Sequence, residues 1–138
     1  MSIRGGRSSL DVDRENTGSK KTISLIRAWL KGCTGLHGAC KFGWNPQWKP
    51  TRLLELDYSG SPPNVRLQTQ FPSGNLCYMT LSHRWGPSNS QRLMLTQGTV
   101  DTLRERVPIK TLPQTFREAV KLTRQLGQRY IWIDCLCI

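Results

Sequence analysis

The sequence predicts an α/β domain: a partial parallel sheet with flanking helices, preceded by a helix and an antiparallel hairpin. Three observations carry this. The block Tyr78-Met79-Thr80-Leu81-Ser82-His83-Arg84-Trp85-Gly86 reads as an apolar strand that ends in polar side chains. Tyr130-Ile131-Trp132-Ile133, closed by Asp134, repeats that form. Between them lies an amphipathic helical pattern, so the order is strand, helix, strand, the unit from which parallel sheets are built.

The elements follow in chain order. Residues 1–21 are polar and rich in Gly, Ser and charge, and are expected to form a disordered tail. Ile23, Ile26, Leu30 and Cys33 then recur at helical spacing, with Leu25 and Trp29 widening the stripe. A helix is predicted over 22–34, broken by Gly32, Gly35 and Gly38. Residues 41–50 read as an aromatic, proline-bearing loop. Residues 52–57 and 65–70 read as two strands of a hairpin around the turn-rich Ser59–Asn64. Residues 22–75 thus form a leader, and 76–138 the start of the α/β domain.

Within that domain, strand 76–82 is followed by a loop with local helical turns over 86–100, and Asp101 and Glu105 also fall in a loop region. Thr115 and Glu118 have capping-box spacing. Phe116, Ala119, Val120, Thr123 and Leu126 mark the apolar face of the next helix, and Gly127 is placed to end it. Strands 76–82 and 129–134 should lie side by side and parallel, joined through this helix by a right-handed crossover.

Composition narrows the partners. Twenty Lys and Arg against nine Asp and Glu give a formal charge of +11. The bases are scattered rather than gathered in a stripe, so nucleic acid is not the expected partner. No stretch has the ~20 apolar residues of a membrane span. An export signal is not apparent, which makes a cytoplasmic location and reduced cysteines the expectation. The cysteine number, five, is odd and fits thiols better than a disulfide framework.

The chemistry-bearing residues gather at the strand ends. Ser82, His83 and Asp134 invite a hydrolase triad, but neighbours on a strand point to opposite faces, and no Gly-x-Ser-x-Gly elbow is present. Asp134 closes an apolar run and is too costly to bury unpaired, so it should sit at a crevice or pair with a base such as Arg84. Ser82, Arg84, Trp85, Gly86 and Asp134 are therefore the ligand-pocket candidates; no catalytic group is assigned. Cys33, His37 and Cys40 have zinc-ligand chemistry, with Cys33 and His37 one helical turn apart. The favoured reading is nonetheless structural, with Cys33 a small core residue and His37 a surface or capping group, and no metal needed for folding. Cys135 and Cys137 would share one face of an extended segment.

These blocks resemble the fungal heterokaryon-incompatibility (HET) domain. The resemblance rests on Tyr78, Leu81, Ser82, His83, Trp85 and Gly86, then Leu112, Pro113, Thr115, Phe116, Glu118 and Ala119. It closes on Arg129, Tyr130, Trp132, Ile133, Asp134, Leu136, Cys137 and Ile138. Tyr78, Leu81, Pro113, Phe116, Trp132 and Cys137 take structural roles in that pattern. Trp29, Leu30, Cys33, His37, Cys40 and Arg52-Leu53-Leu54 look like the leader often found before such domains. The family pattern normally continues past Ile138, so the chain is expected to be an N-terminal portion truncated within the domain.

The resemblance implies an α/β fold similar to the TIR domain, whose enzymatic members cleave NAD with a glutamate. It also implies a role in fungal non-self recognition leading to programmed cell death. The expected function is a signalling or death-effector module acting through self-association and protein partners, with no cofactor. The alternative is a TIR-like NAD-cleaving enzyme whose catalytic acid lies beyond Ile138, with NAD as cofactor of the full-length domain. On either reading this chain should not cleave NAD by itself.

Overall fold

The structure, a computed structural model, describes residues 16–41, 45, 48–86 and 93–138. Of the tail expected at 1–21, residues 1–15 lie outside the described residues, as do 42–44 and 46–47 of the aromatic loop and the segment 87–92. The tail's last residues are ordered instead, because Ser19 caps a helix that already contains Lys20 and Lys21. The chain divides into two compact units, Met1–Trp44 and Asn45–Ile138. No helix among the described residues is long and apolar enough to cross a membrane.

In the first unit, helix α1 spans Lys20–Leu36. Ser19 caps it, its hydroxyl accepting the Thr22 N–H at 3.2 Å. That cap satisfies a backbone donor with no partner inside the helix. Gly32 and Gly35, expected to break the helix, lie inside its last turns; a single glycine costs a helix only ~1 kcal/mol. The helix stops at His37, whose extended backbone (φ −90°, ψ 110°) leads into a 3-10 turn at Gly38–Lys41.

The second unit is built on a five-stranded mixed sheet of order β3-β5-β1-β2-β4. The strands are β1 (Leu53–Asp57), β2 (Asn64–Gln68), β3 (Met79–Leu81), β4 (Val107–Pro108) and β5 (Tyr130–Ile133). The expected parallel pair is present, with Met79, Thr80 and Leu81 in register with Ile131, Trp132 and Ile133. The hairpin assigned to the leader is not outside this sheet. Strand β1 pairs antiparallel with β5 on one side and with β2 on the other. Strand β5 therefore has neighbours on both edges, and Ile131 and Ile133 are buried. An antiparallel hairpin strand thus covers the edge of β5 that faces away from β3.

The connection from β3 to β5 is also longer than a single crossover helix. It passes through α2 (Val100–Glu105), the edge strand β4 and a 3-10 turn at Ile109–Thr111 before α3 (Gln114–Gln125). Asp101 and Glu105 thus lie on a helix, not in a loop. Six residues give too little periodicity to predict such a helix. Pro108, which has no N–H to donate, is tolerated in β4 because that strand is an edge.

Alternation sorts the sheet into two faces. Leu54 and Leu56, Val65 and Leu67, and Ile131 and Ile133 join Leu103 of α2 and Leu112, Phe116 and Val120 in one buried cluster. Each such side chain contributes roughly 1.5–3 kcal/mol by leaving water. Helix α3 begins one residue before the capping-box Thr115, and Pro113 rather than a hydroxyl residue stands at its N-cap. Its C-terminus matches expectation. Gly127 takes φ +79°, its N–H bonds Arg124 O at 2.9 Å, and the Gln128 N–H bonds Thr123 O at 3.0 Å. That pairing is a Schellman motif, and it needs a residue free of the Cβ penalty at Gly127.

Candidate functional site

Parallel pairing of β3 with β5 brings their C-terminal ends to the same sheet edge. Leu81 stands opposite Ile133, so Ser82 and Asp134 leave the sheet together. After Ile133 the chain turns into one helical turn, α4 (Asp134–Cys137), with Asp134 at its first position. One carboxylate oxygen of Asp134, Oδ1, accepts the Cys135 N–H at 2.7 Å. The other, Oδ2, accepts the Trp85 indole N–H at 2.6 Å. Bonds to an ionised carboxylate are shorter and stronger than neutral ones. The two blocks are thereby clasped across the sheet edge.

His83 completes the arrangement. It continues the alternation of Met79 and Leu81, and its ring meets Phe116 edge-on with centroids 5.0 Å apart. Its Nδ1 is buried without a hydrogen bond and stands 3.6 Å from Asp134 Oδ1. Arg84, the base expected beside Asp134, is exposed and takes no part in the clasp. One residue of alternation decides this, since His83 faces the core side and Ser82 and Arg84 face water. No hydrogen bond joins Ser82 to His83, in keeping with the rejected triad. Gly86 ends the turn with φ +70°.

Backbone contacts lock the last turn. Leu95 N–H bonds Cys135 O at 2.7 Å, and Arg52 Nε donates to Cys137 O at 2.8 Å. Cys135 and Cys137 are therefore helical, not extended, because the strand stops at Ile133; both remain buried. Burial pushes the Cys137 thiol up to about 11. A thiol held so far above neutrality is a poor nucleophile. In the folded chain at neutral pH, iodoacetamide should modify the exposed Cys77 well before Cys137, read by peptide mass spectrometry. Equal rates would contradict the packing of α4.

A cavity of about 410 Å³ is lined by Trp48, Arg52, Tyr78, Thr80, Trp132 and Cys137, among others. None of Ser82, Arg84, Trp85, Gly86 or Asp134 lines it. Those five are brought to one edge, where Ser82, Arg84, Trp85 (43%) and Gly86 are exposed around a half-buried Asp134. Of the residues given structural roles, Phe116 and Cys137 are buried, Tyr78, Leu81 and Trp132 half-buried, and Pro113 exposed.

Sequence reasoning missed a polar cluster on the opposite face of β1. Glu55, only 3% exposed, accepts Arg66 Nε at 2.6 Å and Gln68 Nε2 at 2.7 Å, and pairs with Arg129. Burial alone would raise its carboxyl, but the bonds from Arg66 and Gln68 and the charges of Arg129 and Arg66 outweigh that and hold it below the usual range. The signal was an acid inside the apolar run Leu53-Leu54-Glu55-Leu56.

Among the described residues, two groups of side chains have ligand atoms close enough to share a metal ion. In the first unit Cys33, His37 and Cys40 place theirs within 4.8 Å of one another, and at the sheet edge His83, Asp134 and Cys135 do the same. Cys33 is half-buried rather than a core residue, because α1 runs on to Leu36 and carries it along the helix surface. His37 does stand at the cap of α1.

Residues 78–138 fit the family model described as Heterokaryon incompatibility protein (HET). No curated protein and no solved structure matches the chain.

Proposed function

Because residues 78–138 belong to the heterokaryon-incompatibility (HET) family, we propose that the chain serves fungal non-self recognition as a signalling or death-effector module, acting through self-association and protein partners. A role related to heterokaryon incompatibility follows from the family; the mode of action is argued from the site. The observation that carries it is the engagement of Asp134. Both carboxylate oxygens accept hydrogen bonds, one from the Trp85 indole and one from the Cys135 backbone. A carboxylate so occupied fixes an edge. Around it Ser82, Arg84 and half of Trp85 are presented outward, and aromatic and Arg side chains are enriched where proteins meet.

The alternative is NAD cleavage of the TIR kind. Stabilising an oxocarbenium-like transition state takes a carboxylate held free beside the ribose. Asp134 is committed to the clasp, Glu55 to its arginines, and Asp57 to Ser59 at 2.5 Å. That distribution favours contact over catalysis. Purified chain incubated with NAD should release no nicotinamide above a heat-killed control, while light scattering should show concentration-dependent self-association. Turnover lost on Asp134→Ala, from a strictly monomeric chain, would establish the enzyme reading instead.

A further inference from the structure

The end of α1 folds back on itself in a way that the family role does not use. His37 closes the helix, and its carbonyl accepts the Cys40 N–H at 3.2 Å, curling Gly38–Lys41 into a 3-10 turn. The curl carries Cys40 back over the last turn of α1. There Cys33 and His37, four residues apart, project from one helix face. The Cys40 Sγ lies 3.8 Å from His37 Nδ1, and the three ligand atoms fall within 4.8 Å of one another.

From this geometry we propose that Cys33, His37 and Cys40 form a zinc site. A tetrahedral ion with Zn–S near 2.3 Å and Zn–N near 2.0 Å sets its sulfur and nitrogen ligands ~3.6 Å apart. The His37–Cys40 separation is close to that value, and small rotamer adjustments bring Cys33 to the same distance. Two thiolates with an imidazole are a soft donor set that suits zinc, and hard cations such as magnesium or calcium prefer oxygen. Binding deprotonates both thiols, each releasing a proton to solvent, and leaves the neutral ring to donate a lone pair. Among the described residues no fourth Cys, His, Asp or Glu joins the cluster, which supplies three of the four ligands of a tetrahedral ion. The ion would tie the end of α1 to the 3-10 turn.

The second cluster, His83, Asp134 and Cys135, is the weaker candidate. Its Asp134 is engaged by Trp85 and its Cys135 is buried. It provides the competing assignment for the test.

Full-length chain kept reduced should bind one equivalent of Zn²⁺. Cobalt in its place should give a thiolate-to-cobalt charge-transfer band. Loss of an outer-shell partner typically weakens a metal site by roughly 10–100-fold. Loss of a ligand should do at least as much, so Cys33→Ser and Cys40→Ser should each abolish the band, and His37→Ala should weaken binding. Should a variant fold poorly, the wild-type chain still decides the matter, because zinc should protect Cys33 and Cys40, but not Cys77, from alkylation. A missing charge-transfer band, unprotected Cys33 and Cys40, or binding that survives Cys33→Ser and Cys40→Ser but fails in Asp134→Asn would overturn the assignment.

Discussion

Phe116→Ala should cost about 4 kcal/mol, the largest loss expected of any single substitution discussed. Phe116 is 5% exposed, lies in the main core cluster and holds the His83 ring edge-on at 5.0 Å. Truncating a buried Phe removes its transfer free energy and leaves a cavity, together roughly 3–5 kcal/mol. The cluster it belongs to is built mainly from sheet and helix residues whose backbones are hydrogen-bonded independently of the ring, so they can relax little into the gap. For a unit of this size the melting temperature should fall by about 15–25 °C. Phe116→Leu keeps most of the volume and should lose less than half as much. Denaturant titration of both variants measures this directly. A loss below ~1 kcal/mol for Phe116→Ala would place the ring outside the core.

Removing Arg66 and Arg129 together should destabilise the fold by about 3 kcal/mol, more than Glu55→Gln does. The asymmetry comes from burial. Glu55 is 3% exposed, while the side chains of Arg66 and Arg129 are 37% and 66% exposed and return to water when unpaired. Breaking a pair so that a buried charge is stranded costs roughly 3–5 kcal/mol. Gln68 remains as a donor to Glu55, which sets the expectation at the low end.

The pH dependence follows with a definite sign. In the wild type the Glu55 carboxyl is held below its usual range, so its contribution is present above the unfolded value near ~4.3 and disappears as pH falls through the folded one. In Arg66→Ala/Arg129→Ala the opposing effect of burial is set against Gln68 alone, and protonation of Glu55 becomes a relief. The stability gap between wild type and double variant should therefore begin to narrow above ~4.3, where the stranded carboxyl of the variant takes up its proton, and go on narrowing as pH falls through the lowered wild-type value. A gap that is constant from pH 7 to pH 3 would mean that Glu55 is not the stranded group.

The elements legible in the sequence were those with strong periodicity and those with local chemistry. Apolar residues spaced along Phe116–Leu126 defined α3, and Gly127 marked its end because the Schellman turn needs φ above zero there. The alternating run before Asp134 defined β5, and its partnership with β3 followed from the strand–helix–strand order. The place of β1 was not legible, because a hairpin pattern says nothing about which further strand its edge will join. Nor was β4, whose two residues carry no pattern.

At the site, the meeting of Asp134 with the 82–86 turn was foreseen, since parallel strands must end at one edge. Its partner was not. Arg84 offered the obvious charge, yet alternation turns it toward water and leaves Asp134 to the Trp85 indole, with His83 at 3.6 Å. Counting faces from Leu81 outward would have found His83.

The central claim is that Trp85 and Asp134 clasp the two strand ends into one rigid edge. A double-mutant cycle on Trp85→Phe and Asp134→Asn, read by denaturant unfolding of the full chain, tests it most directly. Phe keeps the ring and loses the donor; Asn keeps an acceptor for the Cys135 N–H and loses the charge. A hydrogen bond to a charged group contributes about 1.5–3 kcal/mol, and partial exposure of this pair lowers the expected coupling to about 1–2 kcal/mol. Coupling of that size between the two substitutions is the predicted result. Additivity within ~0.3 kcal/mol, the behaviour of independent sites, would show that the two side chains do not hold each other and that the clasp does not exist.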